Sequence, residues 1–370
     1  MKREKKIKNL LNKSQIIKNC KKNKYIDIDE NNFIDLINLS LGLYKPLFSF
    51  CNKNESNSII NNFSLRGKPF SIPILLNPLN KKNFIFGENY LIKFKNKIVG
   101  YIKIKSSFTI NMQSVIKKIF KTNNINHPGV KKFRNKRNFF IAGDVFFNKE
   151  IIPKDNKFKK SLKIQKTYPK KILNKSVAFT TRNICHFGHK FIQNYLLRKF
   201  KKLFIIVIET PKNKYNPKNI FKTYEILKRI DKLKNKYQIY KIYMPLLYAG
   251  PREAFFQATI INNLGIKNLS IGRDHAGIKK FYAKYDSQKI FDKHKIKNFN
   301  VFKTNEPLLC NLCNKIFFEN KKGNCIYCGS KKYKSINGFE IKKSLKLKKY
   351  NDLFRYIDKK IINFFRNKSL

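Results

Sequence analysis

The apolar positions after Ser176 change period twice. Val177, Ala178 and Phe179 are a short apolar run of the kind that fills a buried strand. Beyond His189 the apolar residues Ile192, Leu196 and Phe200 recur four apart, as on one face of a helix, and Leu203–Ile208 is a second continuous apolar run. Strand, helix, strand predicts a parallel pair with a right-handed crossover. The polar stretch Thr180–His189 then lies outside the carboxyl end of the first strand, ahead of a helix N-terminus. Ligands of such sheets bind there, and free N–H groups favour anions. Further on, Pro217–Asn235 reads as a helix, with Tyr224, Leu227 and Ile230 three apart, and Tyr237–Leu247 as a strand. Pro251 suits a first helical position, Ala254, Ala258 and Ile261 give that helix a face, and Gly265 suits its left-handed C-terminal cap. Leu269–Ile271 is the next strand and delivers Gly272–Gly277 to the same edge as the first loop. This alternation predicts a Rossmann-like α/β sheet.

Around this core the pattern is less regular. Leu91–Phe94 and Ile98–Ile104 are strand-like and split by Lys95-Asn96-Lys97, a hairpin candidate. Residues 1–165 read as strands with turns, and His127 beside Pro128 reads as a turn residue rather than a ligand. The Lys-rich stretch Lys154–Lys175 reads as a linker. Asp352–Phe365 reads as a closing amphipathic helix, with Leu353, Tyr356, Ile357 and Phe364 in period and Lys360 the polar intruder. The division is a first domain over 1–165, a central α/β domain over 170–305 and a C-terminal, partly helical part over 306–370.

Composition narrows the class. The chain has 370 residues, 42% of them hydrophobic, which excludes a disordered polymer. It contains no apolar run long enough to span a membrane and no signal-type apolar segment near Met1–Lys24, so a cytoplasmic protein without a membrane partner is expected. The net charge of +60 invites a nucleic-acid reading. Against it, the lysines are scattered over every segment, Trp is absent and Gly numbers only 14, as codon drift toward A and T would leave them. No specific nucleic-acid partner is expected; the excess charge attracts anions generally.

The candidate chemistry sits in two places. In the first loop, Arg182 offers a planar fork for a tetrahedral oxyanion, and His186 and His189, three apart, share a helix face at its first turn. Two imidazoles there can offset charge developing on phosphate oxygens, and Gly188 permits close approach to the backbone. In the C-terminal part, Cys310-x-x-Cys313 and Cys325-x-x-Cys328 have the spacing of a closed, structural Zn2+ site. Disulfides and a rubredoxin-like iron site are the alternatives.

The second loop adds a family resemblance. Tyr248-Ala-Gly-Pro-Arg-Glu-Ala254 and Gly272-Arg-Asp-His-Ala-Gly277, taken with the first loop, resemble the signature of the ATP sulfurylases (sulfate adenylyltransferases). Their first loop reads Gln-Thr-Arg-Asn-Pro-x-His-x-x-His and their second is intact here. Gly42, Tyr44, Pro46, Leu47, Phe70–Asn77, His127–Val130, Gly338 and Ile341 match further landmarks. Departures are Thr180 for the glutamine, Ile184 for the proline, Phe187 for an often basic residue, and Lys45, Ser49, Asn337, Phe339 and Lys342 elsewhere.

The resemblance implies a PUA-like, mainly β N-terminal domain, a central nucleotidylyltransferase domain of the His-x-Gly-His kind and a small zinc-binding, helical C-terminal part. It implies ATP and sulfate as substrates, adenylyl sulfate and diphosphate as products, in assimilation or in reverse, with Mg2+ accompanying ATP. By matched position, Thr181, Arg182, Asn183, His186 and His189 would be catalytic; Thr180, Arg182, Asn183, Gly272, Arg273, Asp274, His275 and Ala276 would bind ATP and sulfate. A homodimer is implied as well. The residues alone leave open a nucleotidylyltransferase with another oxyanion acceptor, and a basic zinc-ribbon nucleic-acid binder.

Overall fold

The computed structural model describes residues 9–80, 83–211, 216–231, 236–278, 281–336 and 338–367. Its backbone groups into two compact units that interleave along the chain. The first comprises Met1–Lys159, Tyr243–Leu264 and Asp274–Asn298; the second comprises Lys160–Ile242, Gly265–Arg273 and Phe299–Leu370.

In the first unit, β1 (Leu10–Leu11), β2 (Tyr25–Asp27), β5 (Asn89–Phe94), β6 (Lys97–Phe108) and β7 (Phe140–Asn148) form a mixed sheet in the order β1-β7-β6-β5-β2. A two-residue hairpin, β3 (Ser64–Leu65) and β4 (Lys68–Pro69), stands apart from it. The predicted hairpin is present: Lys95 and Asn96 at φ 47° and 62° join β5 to β6, the left-handed pair that matches strand twist. Helices Glu30–Ser40, Lys53–Asn62, Met112–Phe120 and Pro128–Arg134 accompany the sheet, each started by a side-chain cap, from Asp29, Asn52, Asn111 and His127. The hydrophobic pattern missed Glu30–Ser40 because Asn32 and Ile34–Ser40 are all buried, which leaves no polar face to set a period. Helices Pro251–Asn263 and Asp286–Lys293 belong to this unit as well.

The second unit holds the expected sheet. Strands β8 (Ser176–Thr181), β9 (Lys202–Glu209), β10 (Tyr237–Tyr243), β11 (Asn268–Ile271) and β12 (Asn300–Lys303) lie in the order β10-β9-β8-β11-β12. The β8–β9, β8–β11 and β11–β12 pairs are parallel. The chain builds outward from β8 to β10, then returns to the other side of β8, so the strand order reverses between β8 and β11. At such a reversal the flanking crossovers lie on opposite faces and leave a crevice at the carboxyl ends. Val177, Leu203, Ile205 and Val207 pack with Ile192, Leu196, Ile220 and Tyr224 in the core of this unit.

Three segments differ from the sequence expectation. The Lys154–Lys175 stretch, read as a linker, carries short helices, Asn156–Leu162, Ile164–Thr167 and Lys170–Asn174, anchored by buried Phe158, Ile164 and Leu173, and the chain passes from the first unit to the second within it, after Lys159. The helix read over Pro217–Asn235 spans Pro217–Ile230, and Asn235 lies outside the described residues, as does Asn337. The closing helix starts only at Lys359, where Asp358 Oδ1 accepts the Lys360 N–H at 2.9 Å, and it buries Ile361, Ile362 and Phe365. A three-stranded antiparallel sheet, β13 (Pro307–Cys310), β14 (Ile316–Phe318) and β15 (Tyr333–Ser335), carries the cysteines. Among the described residues no helix is long and apolar enough to cross a membrane.

Candidate active site

In the parallel register Ala178 of β8 pairs with Leu269 of β11. Arg182 and Arg273 each lie four residues beyond that pair, so both cationic residues leave the sheet at the strand-order reversal. Arg273 Nε lies 3.6 Å from Glu306 Oε1, an ion pair whose carboxylate is almost enclosed.

The first loop is a tight hydrogen-bonded turn. Thr181 Oγ1 accepts the Asn183 N–H at 3.1 Å and donates to the Asn183 carbonyl at 3.2 Å. One hydroxyl thus closes the turn where the family signature places a proline and this chain has Ile184. The Cys185 N–H donates to Thr223 Oγ1 at 3.0 Å, and burial pushes the Cys185 thiol well up, so it is packing rather than a nucleophile.

His186 is the N-cap of the helix Phe187–Lys199, its Nδ1 accepting the His189 N–H at 3.3 Å. The two imidazoles stack with centroids 3.8 Å apart at 25°. A Cβ on residue 188 would stand 3.2 Å from the His186 ring and 3.3 Å from Ile336, so Gly188 makes room for the ring. Burial drives the His186 pKa well below the usual value, with His189 adding to the effect, and burial brings His189 down to about 4. Both rings are therefore neutral at pH 7.

His189 has a partner the sequence did not announce. Tyr224 Oη lies 3.1 Å from His189 Nδ1 and donates to Thr181 Oγ1 at 3.2 Å. Tyr224 lies on the apolar face of its helix beside Leu227, where periodicity reads a tyrosine as core. The one signal was a hydroxyl-bearing ring flanked at helical spacing by Ile220 and Leu227.

The Gly272–Gly277 loop divides between the units at Arg273 and Asp274. In the first unit, Asp274–Gly277 is held at several points. Ala276 adopts φ 56°, and its carbonyl accepts the Gly250 N–H at 3.2 Å. Ser287 Oγ donates to the His275 carbonyl at 2.6 Å. His275 Nε2 donates to Gln257 Oε1 at 2.9 Å, Gln257 Nε2 donates to Glu253 Oε1 at 3.4 Å, and Glu253 Oε2 accepts the Ala249 N–H at 3.1 Å. Buried Glu253 and Gln257 thus link the loop Tyr248–Pro251 to His275. A Cβ at Gly277 would stand 2.3 Å from Asp274 Oδ1, so a side chain there would displace that carboxylate. Arg252 donates instead to the carbonyls of Ile59, Ser71 and Ile60, so it braces the first unit.

The sequence pattern of the ATP-sulfurylase family matches residues 157–350, more than half of the chain, and that of a PUA-like domain matches residues 3–150. The chain belongs to the ATP-sulfurylase family. As a member of that family it is an enzyme, a nucleotidyltransferase with a PUA-like N-terminal domain. Relatives named sulfate adenylyltransferase include one from Pyrococcus abyssi, 28% identical over 78% of this chain and 77% of that protein. Another, from Carboxydothermus hydrogenoformans, is 28% identical over 87% and 86%. One from Persephonella marina is 30% identical over 68% of each. The fold is similar to that of a solved structure titled hexameric APS kinase from Thiobacillus denitrificans, with TM-score 0.64 and 12% identity over 87% of this chain and 58% of that one.

The ATP-sulfurylase region also carries the four cysteines. Sγ of Cys310 and Cys328 are 3.6 Å apart, those of Cys313 and Cys325 are 3.7 Å apart, and all four lie within 4.8 Å of one another. A disulfide would bring sulfurs to about 2.05 Å. Tetrahedral thiolates around zinc, each about 2.3 Å from the metal, stand about 3.8 Å apart. The group therefore fits a four-coordinate metal ion. Backbone N–H groups of Cys313 and Leu312 draw the Cys310 thiol down to about 6, while burial and the neighbouring thiols push Cys328 up.

Proposed function

We propose that the chain is a sulfate adenylyltransferase that converts ATP and sulfate to adenylyl sulfate and diphosphate. A sulfate oxygen attacks the α-phosphorus in line and diphosphate leaves from the opposite side. Sulfate needs no deprotonation, so the protein's task is positioning and charge stabilisation rather than base catalysis. Arg182 and Arg273 grip the sulfate; Asn183 holds a phosphate oxygen. His186 and His189 steady the α- and β-phosphates as negative charge builds beside them. Gly272, Arg273, Asp274 and His275 line the nucleotide, the Ala276 amide approaches sulfate, and Thr180 and Thr181 shape the first loop. Mg2+ accompanies the ATP phosphates. The cysteine group holds structural Zn2+, and the protein is a cytoplasmic homodimer.

The observation that carries this reading is the pair of arginines leaving adjacent parallel strands at the point where strand order reverses, with two stacked, neutral histidines at the following helix N-terminus. The test is ATP synthesis from adenylyl sulfate and diphosphate by the wild type and by Arg182→Ala. A loss of about 100-fold or more in kcat/KM supports the role of Arg182. A wild type without sulfate-dependent turnover overturns the reading.

A further inference from the structure

We propose that His127 and Tyr282 form a strut that fixes the loop Tyr248–Pro251 and, through it, holds the loop Asp274–Gly277 in its nucleotide-receiving shape. Both are positioning residues, and the proposal rests on the functional reading above for what the second loop binds.

The hydrogen bonds of the strut have defined directions. His127 Nδ1 accepts from the N–H groups of Gly129 and Val130 at 3.1 and 3.2 Å, so it carries no proton. The ring proton is on Nε2, which donates to Tyr282 Oη at 3.2 Å. The Tyr282 hydroxyl proton in turn goes to the Tyr248 carbonyl at 2.8 Å. His127 is fully buried, packed edge-on against Phe281 at 4.8 Å, and burial lowers its pKa, so the neutral ring this arrangement needs persists at neutral pH.

What the strut holds is strained. Tyr248 at φ 59° and Ala276 at φ 56° are side-chain-bearing residues in the left-handed region. Each carries a steric cost and persists only where neighbours fix it. Tyr282 fixes the Tyr248 carbonyl. The Tyr282 ring also lies against Gly250, where a Cβ would stand 2.8 Å away, and the Gly250 N–H holds the Ala276 carbonyl. One phenol thus links both strained turns.

A helix cap alone does not require histidine. Serine, aspartate or asparagine would serve the Pro128–Arg134 helix as well. The imidazole adds a second nitrogen, 155 positions from its partner in sequence, that reaches Tyr282.

Two substitutions separate the roles. His127→Asn keeps a cap acceptor but cannot reach Tyr282. Tyr282→Phe keeps the ring against Gly250 and removes only the hydroxyl. The measurements are the kinetics of ATP synthesis from adenylyl sulfate and diphosphate, the thermal midpoint, and hydrogen exchange of the Gly250 amide. For both variants the KM for adenylyl sulfate is expected to rise about tenfold with kcat changed less than about threefold. Gly250 exchange is expected to quicken about tenfold, with midpoints within a few degrees of wild type. The double variant should be no worse than the weaker single one, because each breaks the same chain. Unchanged Gly250 exchange in both variants, or losses that multiply in the double variant, would overturn the strut. If Gly250 exchange responds but the wild type lacks turnover, the strut stands and the catalytic reading fails.

Discussion

Asp35 is a carboxylate enclosed by apolar neighbours, with Tyr44 Oη donating to its Oδ1 at 2.9 Å. Burial raises its pKa to about 7, against the opposing pull of the Tyr44 hydroxyl and Lys136. A raised carboxyl pKa means that the folded state holds the proton more tightly than the unfolded chain. Its contribution is fully present below the unfolded value near 3.8 and is lost as pH rises through about 7. Asp35→Asn keeps an oxygen for Tyr44 and removes the titration. The variant is expected to melt several degrees above wild type at pH 8, with the difference shrinking toward pH 5, as read by thermal unfolding across pH. His189 has the opposite sign: with a folded pKa near 4 its contribution is present above 6.5 and lost as pH falls toward 4. Neither shift was legible in the sequence, because burial of a polar group depends on partners distant in the chain. His186 and His189 were legible as a pair because three residues of helix bring them together. Tyr224 and Gln257 were not, since each reaches its histidine from another element.

At the scale of elements, the small sheet β13–β15 has little to hold it together. Its own core is Leu308, Cys310, Phe317 and Cys325, and two of those four residues are metal-site cysteines. A core so small would be cross-linked by an ion held on the four thiols. Purified protein should contain one zinc per chain by elemental analysis. Removing it with a strong chelator is expected to quicken hydrogen exchange across Pro307–Ser335 by at least about 100-fold while exchange in β8 and β9 changes little. The cysteine spacing announced this site because each ligand pair is local. The short helices of Lys154–Lys175 were hidden by the opposite circumstance: lysines outnumber the buried Phe158, Ile164 and Leu173 and mask their period. The β8–β9 pair was readable as one strand–helix–strand unit, but the place of β11 on the far side of β8 was not, since strand order is set by packing between crossovers.

At the scale of the whole molecule, the two units take turns along the chain. Tyr243–Leu264 and Asp274–Asn298 return to the first unit with Phe299–Leu370 of the second still to be made. The strand between them, β11, goes to the centre of the other unit, beside β8. On a ribosome, the leading 159 residues must therefore wait for helices Pro251–Asn263 and Asp286–Lys293 before their unit is complete. Arg252 makes the wait concrete, because its guanidinium satisfies the carbonyls of Ile59, Ile60 and Ser71. Expressed alone, 1–159 is expected to show no cooperative melting transition by calorimetry, whereas the same segment co-expressed with 160–370 should be recovered as a folded pair. Gene fusions, inserted tags and split reporters in this enzyme consequently belong away from the Ile242–Tyr243 step, where a cut divides both units at once, whereas a cut after Lys159 divides only the first.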